Sequence, residues 1–226
     1  MSQLSRRLAL TLLGSAALMP ALAMHAQAAP ALPVDQASRD AALVRVRAAI
    51  LKAIAAKDFK QLRPHVAPRI QLDFGGGAGV AELGKRLAAP GSPLWDELRW
   101  VFEHGGRFEK DGSFSAPYSF SIDIGKIDTF EGAVIVSDNV AARAEPRADA
   151  RLVATLGREI VKVVDWRRTE KTPQPFYNRR DWVKLELPGK GAAWVEAKYV
   201  RATTDYRAGL TKMRGVWKMN YFLAGD

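Results

Sequence analysis

The segment 166–180 combines four arginines with three aromatic residues. These residues are Trp166, Arg167, Arg168, Phe176, Tyr177, Arg179 and Arg180. A guanidinium fork holds a carboxylate through two parallel hydrogen bonds, and an aromatic face covers the apolar remainder of a peptide. We therefore expect these side chains to form one patch that binds a short acidic peptide. The alternative is a solvated loop whose aromatic residues fold back over the neighbouring strands.

Few residues of the chain could support catalysis. His65 and His104 lie far apart in the sequence and lack the spacing of metal ligands. There is no cysteine to act as a nucleophile, and no G-x-S-x-G or zinc motif. We expect a protein that is not an enzyme and has no cofactor or metal. A hydrolase that uses Asp73, Asp123 and Asp128 stays open as the alternative.

The glycine-rich segment 75–79 superficially resembles a phosphate-binding loop. The P-loop pattern requires a serine or threonine after its lysine, to hold magnesium. Here Arg86 follows Lys85, so the pattern fails. We predict a flexible turn rather than a nucleotide site.

The N-terminus has the features of an export signal. Arg6 and Arg7 precede the apolar run 8–19, and the small-x-small pattern at 26–28 predicts cleavage after Ala28. The apolar run is too short to span a bilayer. We expect a periplasmic protein without an integral membrane anchor. The export route, general secretory or twin-arginine, stays open.

Charge and cysteine content support this interpretation. The chain carries a formal charge of +10 and contains no cysteine, so it has neither a disulfide nor a thiol for lipid attachment. An exported basic protein meets anionic headgroups and peptide carboxylates rather than nucleic acid. We therefore expect an acidic partner and no nucleic acid. A basic surface that only keeps the protein soluble is the alternative.

Hydrophobic periodicity predicts mixed α and β structure before residue 131. Helical spacing over 43–54 predicts an amphipathic helix with Asp35 or Ser38 as its N-cap. Further helices are predicted after the glycine-rich segment and over 93–104, and we assign Trp95 and Trp100 to structure.

Alternating residues predict the strands of this region. We expect strands at 70–74, in a hairpin around Asp111-Gly112, and over 120–124. A second alternation, from Tyr206 to Leu223 and turning at Arg214-Gly215, predicts a C-terminal hairpin. An isolated hairpin is barely stable, so it should pair with strands that precede Glu131 and bury Trp217 or Tyr221.

Between these regions, several short motifs follow one another in a fixed order. They are Arg143-Ala144-Glu145-Pro146, Leu152-Val153-Ala154-Thr155-Leu156-Gly157, Trp182-Val183-Lys184-Leu185, Ala193-Trp194-Val195 and Tyr199-Val200. Together they resemble the bacterial SH3-like module, over residues 131–202. Glu145 and Ala193 replace glycines of that pattern, so those turns should differ here.

The resemblance implies a small SH3-like β-barrel, and together with the helix and strand patterns and the C-terminal hairpin it predicts an α+β protein whose helical and antiparallel-sheet domain carries this barrel as an insertion. The expected units are a signal peptide at 1–28, an α+β domain at 29–130 plus 203–226, and the barrel at 131–202. The resemblance also implies a non-enzymatic periplasmic binding protein. Its SH3-like module would hold peptidoglycan stem peptide or an acidic protein segment. The alternative is a cell-wall hydrolase that acts through carboxylates of the α+β domain.

Overall fold

The computed structural model describes residues 29–168 and 180–225, which form helices and two β-sheets. The α-helices are α1 Ala41–Ala55, α2 Phe59–Leu62, α3 Val80–Ala88 and α4 Leu94–Glu103. The strands are β1 Val66–Gln71, β2 Arg107–Phe108, β3 Phe114–Ala116, β4 Gly132–Ile135, β5 Val140–Arg143, β6 Leu152–Leu156, β7 Ile160–Arg168, β8 Arg180–Leu187, β9 Gly191–Glu196, β10 Val200–Ala202, β11 Arg207–Met213 and β12 Val216–Leu223. The mixed α+β class expected from the sequence is confirmed.

The first sheet has five strands in the order β1-β12-β11-β3-β2. Its neighbours run antiparallel except β1 and β12, which are parallel. The sheet is therefore antiparallel, as expected, except at this edge. Helices α1, α3 and α4 contribute buried side chains to the same hydrophobic core as the sheet, so this core lies between them and one sheet face.

Helix α1 shows how local chemistry fixes an element. Leu43, Ile50 and Ile54 are fully buried, which places one apolar stripe of the helix against the core. The N-cap is Asp40, whose carboxylate accepts hydrogen bonds from the amides of residues 42 and 43 at 2.8 and 3.0 Å. The predicted caps were therefore wrong. Asp35 instead accepts from the amide of residue 37 in the preceding 3₁₀ turn.

The C-terminal hairpin completes the first sheet. Strand β11 pairs with β3, and β12 pairs with β1, so both partners precede residue 131, as the sequence predicts. Arg214 and Gly215 form the turn with φ values of +52° and +81°, which suits a two-residue hairpin. Trp217 is only 2% exposed and belongs to the first core, which confirms its predicted burial.

A β-bulge in this hairpin changes which residues face the core. Gly209 pairs with Tyr221, whereas the next residue, Leu210, pairs with Met219. The extra residue on β12 reverses the alternation, so Met219 and Phe222 enter the core. Tyr221 therefore does not continue the apolar face that simple alternation predicts.

The second sheet has seven antiparallel strands in the order β10-β4-β7-β8-β9-β5-β6. It surrounds a separate hydrophobic core with side chains from residues 133–200. Within the described residues, no pairing joins the edge strands β6 and β10, so a closed barrel is not found. Neither Glu145 nor Ala193 has a positive φ, and Ala193 lies buried inside β9, so the chain does not need glycine at these positions.

The predicted strand over 120–124 is wrong. A 3₁₀ turn occupies Tyr118–Ser121, and the described chain then continues without a strand to residue 131. Ile122 and Ile124 pack against a small cluster that contains Ala31 and Ile160. Their alternation therefore reflects burial against two other segments rather than strand pairing.

A buried ionic contact joins the two sheet regions. Arg201 on β10 donates to Glu97 on α4 at 3.1 Å and lies 3.6 Å from Asp205. The Arg201 guanidinium also stacks 3.9 Å from the ring centroid of Trp100.

None of the described helices is long and apolar enough to cross a membrane.

Candidate functional site

The described ends of the predicted arginine-aromatic segment lie on β7 and β8, which pair antiparallel. Phe176, Tyr177 and Arg179 lie outside the described residues. The hairpin backbone pairs Arg168 directly with Arg180. Two of the four predicted arginines therefore occupy opposing positions across one strand pair.

Further residues of the predicted site lie along β7. Arg167 pairs with Trp182, and Trp166 pairs with Val183. The Trp166 side chain is half-buried and packs against the second core. Trp166 thus anchors β7 to the second core.

The outer face of β8 and β9 continues this region with cations and indoles. Val183 and Val195 are fully buried, so the residues that alternate with them face away from the core. Trp182, Lys184 and Trp194 are these residues, and each is half-buried. We call Trp182, Lys184, Trp194 and Arg143 the tryptophan surface.

Cross-strand pairing fixes the geometry of the tryptophan surface. Lys184 pairs with Trp194, and Trp194 in turn pairs with Arg143 on β5. The Lys184 Nζ lies 5.7 Å from the ring centroid of Trp194, within the range of a cation–π contact. Arg143 Nη1 donates to the carbonyl of Ala150 at 2.8 Å, which orients its guanidinium.

Carboxylates border the tryptophan surface on both sides of β8, because Asp165 pairs with Lys184 across β7 and β8 and Glu196 lies on β9. Glu196 pairs with Trp182 across β8 and β9, and its carboxylate lies 2.6 Å from Lys198 Nζ. The hydrogen bond to Glu196 raises the pKa of Lys198. The Lys198 ammonium also lies 4.8 Å from the ring centroid of Tyr199. The negative charge of Glu196 is therefore balanced locally.

Sequence reasoning assigned Trp182, Lys184 and Trp194 to strand motifs and did not recognise them as a surface. The signal was present in the alternation of Trp182 and Lys184 with Val183 and Leu185. Alternation alone does not say which face is covered. In the structure Val183 and Leu185 are buried, so Trp182 and Lys184 lie on the outer face of the sheet.

The glycine-rich segment is closed by its own side chains. Asp73 accepts from the amide of Gly77 at 2.7 Å and from Arg86 Nη2 at 2.7 Å. The Arg86 hydrogen bond is the main cause that holds the pKa of Asp73 below its ordinary value. A loop amide that would face a phosphate is thus already bonded to a carboxylate, which fits the predicted turn.

The two histidines occupy different structural settings. His104 stacks on Trp100 with ring centroids 4.0 Å apart, and its Nδ1 lies 2.7 Å from the Trp100 carbonyl oxygen. Burial lowers the pKa of both His104 and His65. Among the described residues, no group of histidine, aspartate and glutamate side chains could hold a metal ion.

The three carboxylates considered for hydrolysis each stabilise a local turn. Asp123 accepts from the amide of Gly125 at 2.8 Å, and Asp128 accepts from the amide of Phe130 at 2.9 Å. Asp73 holds the glycine-rich segment. These contacts give each carboxylate a structural role.

Comparisons with known proteins give no relative. No family model matches the chain, and neither the curated proteins nor the solved structures contain a significant match.

Proposed function

We propose that this protein is a non-enzymatic, exported binding protein whose SH3-like module holds an acidic peptide. The ligand is peptidoglycan stem peptide or an acidic segment of a partner protein. The observation that carries the proposal is the continuity of β7 and β8. Strand β8 carries Arg180, which pairs with Arg168 of β7, and continues into Trp182 and Lys184 of the tryptophan surface.

The SH3-like assignment is supported by the arrangement of the second sheet. The sheet is small, antiparallel and has its own core, and its strands lie where the SH3-like motifs predict them. The extended β7–β8 strand pair is one departure from a minimal module, and the absence of pairing between β6 and β10 among the described residues is another. Loops and hairpins on small scaffolds commonly carry binding residues.

The chemistry of the surface selects an acidic peptide. Arginines bind carboxylates through charge-assisted hydrogen bonds, and the indoles of Trp182 and Trp194 offer flat apolar area. A stem peptide supplies several carboxylates on a short chain. A periplasmic location, after cleavage following Ala28, would give the module access to this polymer.

Incubation of the mature protein with purified sacculi separates binding from hydrolysis. We expect the protein to sediment with the sacculi and to release no soluble muropeptides. Retention that falls with added salt supports an electrostatic contact. Release of soluble fragments would replace the proposal with the hydrolase alternative.

A further inference from the structure

A cavity of about 1010 Å³ borders strands β6, β7 and β8 of the seven-stranded sheet. Its lining comes from four parts of the chain, within residues 29–30, 123–127, 154–162 and 186–190. This volume is at the upper end of the range that ligand sites span. No residue of the tryptophan surface lines the cavity, so the two regions are separate.

Strand β6 meets the cavity along its edge. Ala154, Thr155 and Leu156 are consecutive residues of β6, and all three line the cavity. Successive side chains of a strand point to opposite faces, so a cavity that borders all three lies beside the strand. Among the described residues, β6 pairs only with β5. Its other edge is therefore open to a further strand, and this edge borders the cavity.

Extended backbone already pairs with β7 at the same cavity. Pro30 forms an antiparallel bridge with Glu159. The carbonyl of Ala29 accepts from the amide of Ile160 at 2.9 Å, and the amide of Ala31 donates to the carbonyl of Arg158 at 2.8 Å. The start of β7 thus has an added partner, whereas β6 has none on this side among the described residues.

Apolar side chains cover much of the cavity wall. Leu156 and Leu187 are buried members of the second core, so the cavity reaches the margin of that core. Ile124 and Ile127 are half-buried and approach from the segment before β4. Apolar side chains of an added strand would pack against these residues and lose contact with water.

The cations at the cavity are mostly neutralised. Arg158 Nε lies 3.1 Å from the Asp138 carboxylate, and Lys162 Nζ lies 3.2 Å from that of Glu131. Lys190 is exposed in the turn between β8 and β9. The cavity therefore offers little free positive charge, although the whole chain carries a formal charge of +10.

Two carboxylates of the lining, Asp123 and Glu159, have no ion pair among the described residues. Glu159 is half-buried and accepts from the amide of Gly157 at 3.3 Å. Burial raises the pKa of Glu159. A carboxylate that loses water without gaining a cation is stabilised when a cationic group binds beside it.

We propose that β6 binds an extended peptide as an additional strand, with apolar side chains of the peptide in the cavity and one basic side chain at Glu159. Backbone hydrogen bonds to the β6 edge supply affinity, and the cavity selects the alternate side chains. The added strand extends the sheet at the edge where the described strands leave it open. This site does not use the tryptophan surface and does not rest on the proposed function.

Fluorescence anisotropy of labelled peptides, titrated with the mature chain, tests the proposal. The probe is a capped heptapeptide of alternating valine and threonine with a central lysine. We expect saturable binding, and a version with central glutamate should bind about fivefold more weakly. Two further versions carry N-methyl groups on alternate amides, in the two possible phases. One phase should abolish binding and the other should not, because an edge strand pairs through every second amide.

Substitutions place the peptide at β6. Glu159→Gln should remove the preference for lysine over glutamate. Glu145→Gln removes the same charge from the exposed β5–β6 connection outside the cavity, and it should keep the preference. Gly157→Trp should abolish binding, because Gly157 lines the cavity, lacks a positive φ and has no atom within 4 Å of an added Cβ. A large side chain at this position would occupy the space of the peptide.

Hydrogen exchange locates the peptide without any substitution. With the lysine peptide bound, alternate amides of residues 152–156 should gain protection, whereas the amides of β9 should not change. Exchange of the free chain also reveals self-association. Protection of 152–156 that grows with protein concentration, together with a dimer in sedimentation, would assign the edge to a second copy of the chain and overturn the peptide proposal.

Four other results would overturn the site. The first is the absence of saturable binding by the lysine peptide, and the second is unchanged binding of both N-methylated versions. The third is unchanged affinity in Gly157→Trp that is folded by circular dichroism. The fourth is a preference for lysine that persists in Glu159→Gln. If Gly157→Trp does not fold, protection confined to strands other than β6 has the same meaning.

Discussion

Single carboxylate side chains link elements of this fold that lie apart in the sequence. Asp40 illustrates how one side chain links two elements, because it caps α1 and also lies 2.8 Å from Lys212 Nζ on β11. These interactions, with the Lys212 hydrogen bond as the largest, lower the pKa of Asp40 from 3.8 to about 2. A residue that caps a helix thus also fastens that helix to the sheet.

The lowered pKa of Asp40 predicts a pH-dependent contribution to stability. The ionised group is favoured in the folded state, so its contribution is complete above pH 3.8 and is lost as the pH falls towards about 2. We expect the difference in urea midpoint between the wild type and Asp40→Ala to be largest near neutral pH. It should shrink through this acidic window. Lys212→Ala should reduce the same difference, and a difference that is constant with pH would contradict the assignment.

At the scale of elements, the C-terminal hairpin determines whether the first sheet forms. It supplies β11 and β12, which are two of the three internal strands, and its Trp217 fills the core beneath the helices. The Trp217 ring lies 6.1 Å, centroid to centroid, from that of Phe108 on β2. A strand from the middle of the chain and one near its C-terminus therefore share this contact.

Truncation of Trp217 should be strongly destabilising. Trp217→Ala removes a large buried side chain and should lower the free energy of unfolding by about 3 to 5 kcal/mol. The neighbouring Val216 is 52% exposed, so Val216→Ala is a matched control with an expected change below about 1 kcal/mol. Urea denaturation of both variants measures the difference. Equal effects would show that the hairpin does not contribute to the core as described.

Local hydrophobic patterns predict an element well when one of its faces packs on the core and the other faces solvent. The stripe of Leu43, Ile50 and Ile54 predicts α1, and the Arg214-Gly215 turn predicts the hairpin. Tertiary contacts decide the remainder. Ile122 and Ile124 alternate like a strand but pack against residues from distant parts of the chain. A single bulged residue likewise reverses which residues of β12 face the core, and no local sequence pattern predicts this bulge.

At the scale of the whole molecule, two hydrophobic cores are joined by a buried polar contact. The Glu97 and Arg201 side chains are 9% and 10% exposed, and Asp205 provides a second carboxylate. Trp100 and His104 complete the stack on α4. Removal of one partner would leave the other charge buried and unpaired.

A double-mutant cycle measures this connection. Glu97→Gln and Arg201→Gln should each destabilise the protein, and the double variant should lose less than the two single effects combined. We expect a coupling free energy of about 0.5 to 3 kcal/mol from urea denaturation. Strict additivity would show that the contact does not couple the two regions. Lys198→Gln, at an exposed pair on the same module, is a control for the loss of a positive charge.

The candidate binding site could be predicted only in part. The Arg167-Arg168 and Arg179-Arg180 pairs stand out by composition, and the structure places Arg168 opposite Arg180. The tryptophan surface depends instead on which face of β8 is buried.

The most direct test of the binding proposal is the affinity of the mature protein for a synthetic acidic stem peptide. We expect the double variant Arg179→Ala and Arg180→Ala to weaken binding by about 1 to 3 kcal/mol for each lost charged hydrogen bond. Trp194→Ala should weaken binding as well, and added salt should reduce the wild-type affinity. Phe130→Ala is the matched aromatic control, because Phe130 is 64% exposed and lies outside the seven-stranded sheet. Unchanged affinity in the arginine double variant and in Trp194→Ala, with unchanged melting temperatures, would contradict the proposal.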